Sequence, residues 1–133
     1  MAVVHVTEQT FESTVKNGIV LLDFWAAWCG PCRVFGPIFE EAAGRHPDVT
    51  FGKVDTEAEP ALAGALGIRA IPTLMVFRDG LLLAAESGVM PGEALDEVIC
   101  EVRALDMDDV RRQVEERKAQ AAGSRDTVLR EDR

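Results

Sequence analysis

Residues 23–33 read DFWAAWCGPCR. Two cysteines, Cys29 and Cys32, stand two residues apart at the end of an apolar run, and an acid, Asp23, is set inside that run. Gly30-Pro31 signals a helix start, because proline is favoured in a first turn that has no use for its missing N–H. Cys29 then lies at the mouth of a helix, near free backbone N–H groups and the positive end of the dipole. Both favour thiolate, the species that attacks disulfides. Cys32, three residues on, falls one step deeper in the first turn. An exposed sulfur that attacks and a sheltered one that resolves make a two-step exchange device.

The elements around this motif follow from hydrophobic spacing. Val3–Val6 reads as an edge strand, and Thr7 as the cap of a helix over 8–16 that ends at Asn17-Gly18. Ile19–Trp25 is a nearly continuous apolar run, as in a central strand covered on both faces. The helix after Cys29 runs from about Pro31 to Arg45, with Val34, Phe35, Ile38, Phe39 and Ala42 facing inward and Pro37 expected to kink it. Val49–Val54 is a second inner strand, followed by a short helix over 58–66 with Gly67 at its C′ position. Leu74–Phe77 and Leu82–Glu86 are joined through Arg78-Asp79-Gly80, a hairpin signal. Leu95, Val98, Ile99 and Val102 give a helix over 92–105 a clean apolar face. This order implies a mixed sheet with helices on both faces.

The chain has 133 residues, 47% apolar and 28% charged, which is ordinary globular composition with material for one core. The net charge of −9 argues against nucleic acid and anionic membrane as partners. Residues 106–133 carry eight acids and seven bases, leaving −8 of the −9 on residues 1–105. No apolar run is long enough to span a membrane, and MAVVHVTEQTFES lacks the pattern of a signal peptide. A reducing cytoplasm is therefore expected, where a close cysteine pair is catalytic or metal-binding rather than structural. Cys29, Cys32 and His46 have the spacing of three zinc-finger ligands, but the fourth would fall at Thr50, Phe51 or Gly52, so no metal is expected. A bridge between Cys29 and Cys32 also closes too short a loop to stabilise much. Redox chemistry is the favoured reading.

Alternation along 19–25 puts Leu21, Asp23 and Trp25 on one face. Burying an unpartnered carboxylate there is costly, and desolvation raises its pKa toward the range of a base working near neutrality. Trp25 reads as the core tryptophan. Cys100 points away from the Leu95–Val102 stripe, so it is exposed or covered by residues beyond 105. Residues 106–122 have helical propensity with a sparse stripe of Met107, Val110 and Val114, and disorder is expected from Gly123. That stripe is too narrow to favour a partner seam over a solvated, partly frayed helix.

WCGPC preceded by DFWA resembles the thioredoxin family. The resemblance continues through FESTVKNGIVLLDFWAAWCGPCRVFGPIFEE, FGKVDTEAEPALAGALGIRAIPTLMVFRDG and ESGVMPGEAL, about residues 6–104. The pentapeptide together with GIRAIPT some forty residues later is very specific. The resemblance implies an α/β thioredoxin fold, with a mixed sheet of about five strands in residues 1–105 and residues 106–133 as an extension on which the family is silent. It implies a protein-disulfide reductase without bound cofactor, acting on disulfide-containing proteins and recharged from NADPH by thioredoxin reductase, in cytoplasmic redox homeostasis and as a monomer. Asp23 would exchange the proton of Cys32, with Lys53 beside it. Ile71-Pro72 matches the family's cis-proline; from sequence alone Pro72 reads as trans at the start of an edge strand. Trp28, Gly30, Pro31, Ile71, Pro72 and Gly88 would form the substrate surface around Cys29. The Ile71 backbone would pair with an extended peptide. Ser87 stands where relatives often carry a small apolar residue, and Arg33 where many have lysine. A thioredoxin-fold oxidase or isomerase, or a binding module that uses the tail and not the thiols, stays open at this point.

Overall fold

Five strands pair in the order β1-β3-β2-β4-β5, with the apolar run around Leu21 at the centre of the sheet. The strands are β1 (Val3–His5), β2 (Ile19–Trp25), β3 (Thr50–Asp55), β4 (Thr73–Arg78) and β5 (Leu81–Ser87). The helices are α1 (Phe11–Val15), α2 (Gly30–Arg45), α3 (Pro60–Ala65), α4 (Gly92–Ala104) and α5 (Met107–Glu131). This computed structural model describes residues 2–131, with side chains described as far as residue 121. β1 and β2 run parallel to β3, while β4 is antiparallel to both β2 and β5. The β4–β5 hairpin turns through Asp79 and Gly80, both at positive φ (50° and 84°), as a two-residue Asp-Gly hairpin loop requires.

Each sheet face has its own core. Leu21, Phe51, Leu74 and Val76 meet Phe35 and Phe39 of α2 and Leu95, Ile99 and Val102 of α4. On the other face Val20, Leu22, Phe24, Val54, Met75 and Phe77 meet Val15 of α1 and Leu62 of α3. These two layers fix β2 from both sides, so its C-terminal end is held against the start of α2.

Two local expectations need correction. Helix α1 begins at Phe11, not at residue 8, and Thr10 is its N-cap residue. Thr7 instead closes a preceding turn, its carbonyl accepting from the N–H groups of Thr10 and Phe11 at 3.2 and 2.9 Å. Val34 does not face inward. It is 58% exposed, because the buried row of α2 follows Cys32, Phe35, Phe39, Ala42 and Ala43, and Val34 lies about 100° around the helix from Phe35. Helix α5 follows as Met107–Glu131. The chain divides into two compact units, Met1–Arg103 and Ala104–Arg133. Cys100, on α4, is exposed.

Candidate active site

Cys29 is the N-cap residue of α2, with extended backbone at φ −84° and ψ 114°. Its Sγ accepts the Cys32 N–H at 3.2 Å, so a sulfur fills the place where serine or aspartate ordinarily caps a helix. The two sulfurs are joined as a disulfide, and the Ile71 carbonyl oxygen stands 3.7 Å from the Cys29 sulfur. Sequence reasoning expected Cys29 to be the more exposed of the pair. Both residues are 4% exposed, because Trp25, Ala26 and Ile71 pack around them. The two sulfurs differ in their place on the helix, one at the cap and one inside the first turn.

Asp23 is fully buried, and neither carboxyl oxygen has a hydrogen-bond partner among the described residues. Burial is the main reason its pKa is pushed up from 3.8 to about 7. The Lys53 ammonium pulls the other way, and Glu40 adds a smaller upward push. Lys53 is the register partner of Asp23 on β3, so the two side chains leave the same face of the sheet. The Lys53 Nζ lies 5.1 Å from the centroid of the Trp25 ring and 3.7 Å from the Glu40 Oε1. A cleft of about 320 Å³ runs past Lys53 and Glu40 to Cys32.

The residues assigned to the substrate surface divide into two groups that meet at Cys29. Gly30 and Pro31 belong to the first turn of α2, and Trp28 precedes it, 67% exposed with its indole N–H donated to Glu57 at 3.0 Å. Across the sulfurs lies the Ile71-Pro72 bond, which is cis. The Pro72 carbonyl accepts the Gly88 N–H at 2.8 Å, which brings Gly88, at φ +101°, to the same rim. The Ser87 hydroxyl stands 3.2 Å from that of Thr73, so its polarity is met within the hairpin. His46 is at the opposite end of α2, where its Nε2 lies 2.7 Å from the Asp96 Oδ1. Among the described residues no group of three or more His, Cys, Asp or Glu could hold a metal ion.

A paired-cysteine helix cap, a buried acid behind it and a cis-proline opposite it sit within one fold, and the comparisons with known proteins agree with that grouping. The sequence profile of the family described as Thioredoxin matches residues 2–101. The chain belongs to the thioredoxin family. A Streptomyces coelicolor protein named "Putative thioredoxin 2" is 54% identical over 119 residues, covering 89% of each chain. The Bacillus subtilis thioredoxin is 40% identical over 100 residues, 74% of this chain and 96% of its own. Among solved structures, a single-residue mutant of thioredoxin from Halobacterium salinarum NRC-1 superposes with a TM-score of 0.73 at 35% identity, covering 78% of this chain and 93% of that one.

As a thioredoxin-family oxidoreductase the chain carries out dithiol–disulfide exchange through Cys29 and Cys32. Three residues that sequence reasoning passed over sit beside that thioredoxin site. Glu57 holds the Trp28 indole. Ala27 accepts the Arg33 Nε and Nη2 through its carbonyl at 3.2 and 3.0 Å, which ties the first turn of α2 to the loop before it. Glu40 pairs with Lys53, and its signal was present in the spacing: Cys32, Gly36 and Glu40 recur at i, i+4 and i+8, one line along the helix.

Proposed function

We propose that the chain is a reductase of protein disulfides in the cytoplasm, recharged by an NADPH-dependent thioredoxin reductase, with Cys29 as the attacking sulfur and Asp23 as the base that frees Cys32. The observation that carries this reading is the Cys29 sulfur at the N-cap of α2. In the dithiol form the Cys32 N–H and the helix dipole both favour charge on that sulfur. The Cys29 thiolate attacks one sulfur of the substrate disulfide. That S–S bond breaks, a mixed disulfide forms, and the other substrate sulfur leaves as thiolate. Asp23 takes the proton of Cys32, and the Cys32 thiolate attacks the Cys29 sulfur. The Cys29–Cys32 bond forms, the second substrate sulfur leaves, and the proton held by Asp23 passes on to the released thiolate. Two electrons move from the cysteine pair to the substrate.

Lys53 modulates the acid in this scheme. Trp28, Gly30, Pro31, Ile71, Pro72 and Gly88 receive the substrate, with the Ile71 backbone pairing an extended segment. Residues 1–105 act as the redox domain, working as a monomer without bound cofactor, and 106–133 stand outside the chemistry. The acidic net charge of −9 fits protein partners better than nucleic acid or anionic membrane. Among the described residues no helix is long and apolar enough to cross a membrane.

The test is NADPH-coupled reduction of a protein disulfide with a thioredoxin reductase. Steady NADPH consumption is expected, together with covalent trapping of substrate on Cys29 in the Cys32→Ser variant. A Cys32→Ser variant that traps nothing would end the assigned division of labour.

A further inference from the structure

Asp23 is fully buried, and its register partner on β3, Lys53, pairs with Glu40. That pair stands between two depressions. One, of about 320 Å³, passes Gly36 and Pro37 to Cys32. The other, of about 200 Å³, opens toward Val3 and His5 on β1. Glu40 and Lys53 line both. The Lys53 ammonium is held on three sides: the Glu40 carboxylate at 3.7 Å, the Trp25 ring at 5.1 Å, and the α2 backbone, where a Cβ at Gly36 would come within 3.6 Å of it. Its side chain is 17% exposed, against 54% for Glu40, so the lysine is the inner and the glutamate the outer member of the pair.

We propose that Glu40 is a positioning residue for the exchange reaction: it draws the Lys53 ammonium outward to the partition between the clefts, and so keeps the proton on Asp23 available for exchange with Cys32. This rests on the reading that Asp23 serves Cys32. An ammonium free of Glu40 would direct its field at Asp23, the other carboxylate beside it, and an opposite charge favours the ionised form of an acid. The charged or titratable groups around that face are Cys32, Arg33 and Glu40 on α2, Lys53 and Asp55 on β3 and His5 on β1, and the Asp55 carboxylate is turned to the Glu57 and Ala58 N–H groups. β4 contributes Leu74 opposite Asp23 and, four residues farther along that face, Arg78, whose Nη1 donates to the Val102 carbonyl. Arg33 is turned to the Ala27 carbonyl, and His5 is the register partner of Lys53. Glu40 is therefore the acid placed to compete with Asp23 for the lysine.

The experiment is a ¹³C-detected titration of the Asp23 carboxyl in the full chain, with the pH profile of mixed-disulfide resolution measured in parallel. Glu40→Gln, which keeps shape and removes charge at a largely exposed site, should lower both midpoints by about half a pH unit. In a Lys53→Met background the same substitution should move them by less than half as much, because only the direct repulsion between Glu40 and Asp23 remains. Unchanged midpoints in Glu40→Gln, or equal shifts in both backgrounds, overturn the proposal. The reading of Asp23 as base fails by a different sign: an Asp23→Asn variant whose resolution keeps the wild-type pH profile. If Asp23→Asn abolishes that profile and Glu40→Gln leaves it in place, the role given to Glu40 alone is wrong.

Discussion

Leu21 and Asp23 are two residues apart on one strand, face the same side of the sheet and are both fully buried. Leu21 enters a cluster with Phe35, Phe39, Phe51, Leu95 and Ile99, where every neighbour gains from its burial. Asp23, one step along that face, brings two carboxyl oxygens into the interior without a hydrogen-bond partner among the described residues. The same burial therefore stabilises the fold at one position and destabilises it at the next. The apolar half of β2 holds the strand rigid enough for the other half to carry a group that water would otherwise claim.

The sharpest way to break the comparison is to damage the first half. Phe39→Ala should cost about 3–5 kcal/mol, read as a lower urea midpoint, with nearly the same loss at every pH because no titrating group is removed. A loss well under 1 kcal/mol would show that the cluster repacks and that Leu21 and its neighbours are not the source of rigidity.

Asp23→Asn should act in the opposite direction and with a pH signature. The carboxyl is raised from 3.8 to about 7, so between those values the folded chain binds more protons than the unfolded one. Stability then falls as pH rises from about 4 to about 7 and stays low above that. Removing the acid should return on the order of 4 kcal/mol above pH 8 and nothing below pH 4. It should also slow the release of mixed disulfide. Unfolding curves of the two chains that coincide at pH 8 would show that the carboxylate is not under strain.

The smallest effect sharpens the contrast between buried and exposed charge. Arg103 meets both oxygens of Asp48 at 2.7 and 2.8 Å, yet the two side chains are 42% and 63% exposed. Arg103→Ala should change stability by about 0–1 kcal/mol and less at high salt. A loss above 2 kcal/mol would mean that surface geometry matters here as much as burial.

Most of the scaffold could be read from spacing. The unbroken run at 19–25, the i, i+3, i+4, i+7 face from Leu95 and the Asp79-Gly80 turn each reflect a local rule that the folded chain obeys. Asp23 was legible for the same reason, as a charge that breaks a pattern. What spacing did not carry depends on tertiary neighbours. Val34 and Phe35 are both apolar, and only the direction from which the sheet approaches α2 decides that Phe35 is buried and Val34 is not. The equal burial of Cys29 and Cys32 depends in part on Ile71, some forty residues away in the chain. The cis bond at Ile71-Pro72 followed from resemblance alone, since nothing in the dipeptide distinguishes it from an extended one. The seat of Lys53 over the Trp25 ring required strand register, which apolar patterns on β2 and β3 leave open.

One further property follows from the sulfur that closes the front of α2. The atom proposed to attack a substrate is also the cap of the helix behind it. The Cys32 amide, one hydrogen bond from the sulfur whose bonding changes in exchange, is therefore a built-in reporter of which state the molecule is in.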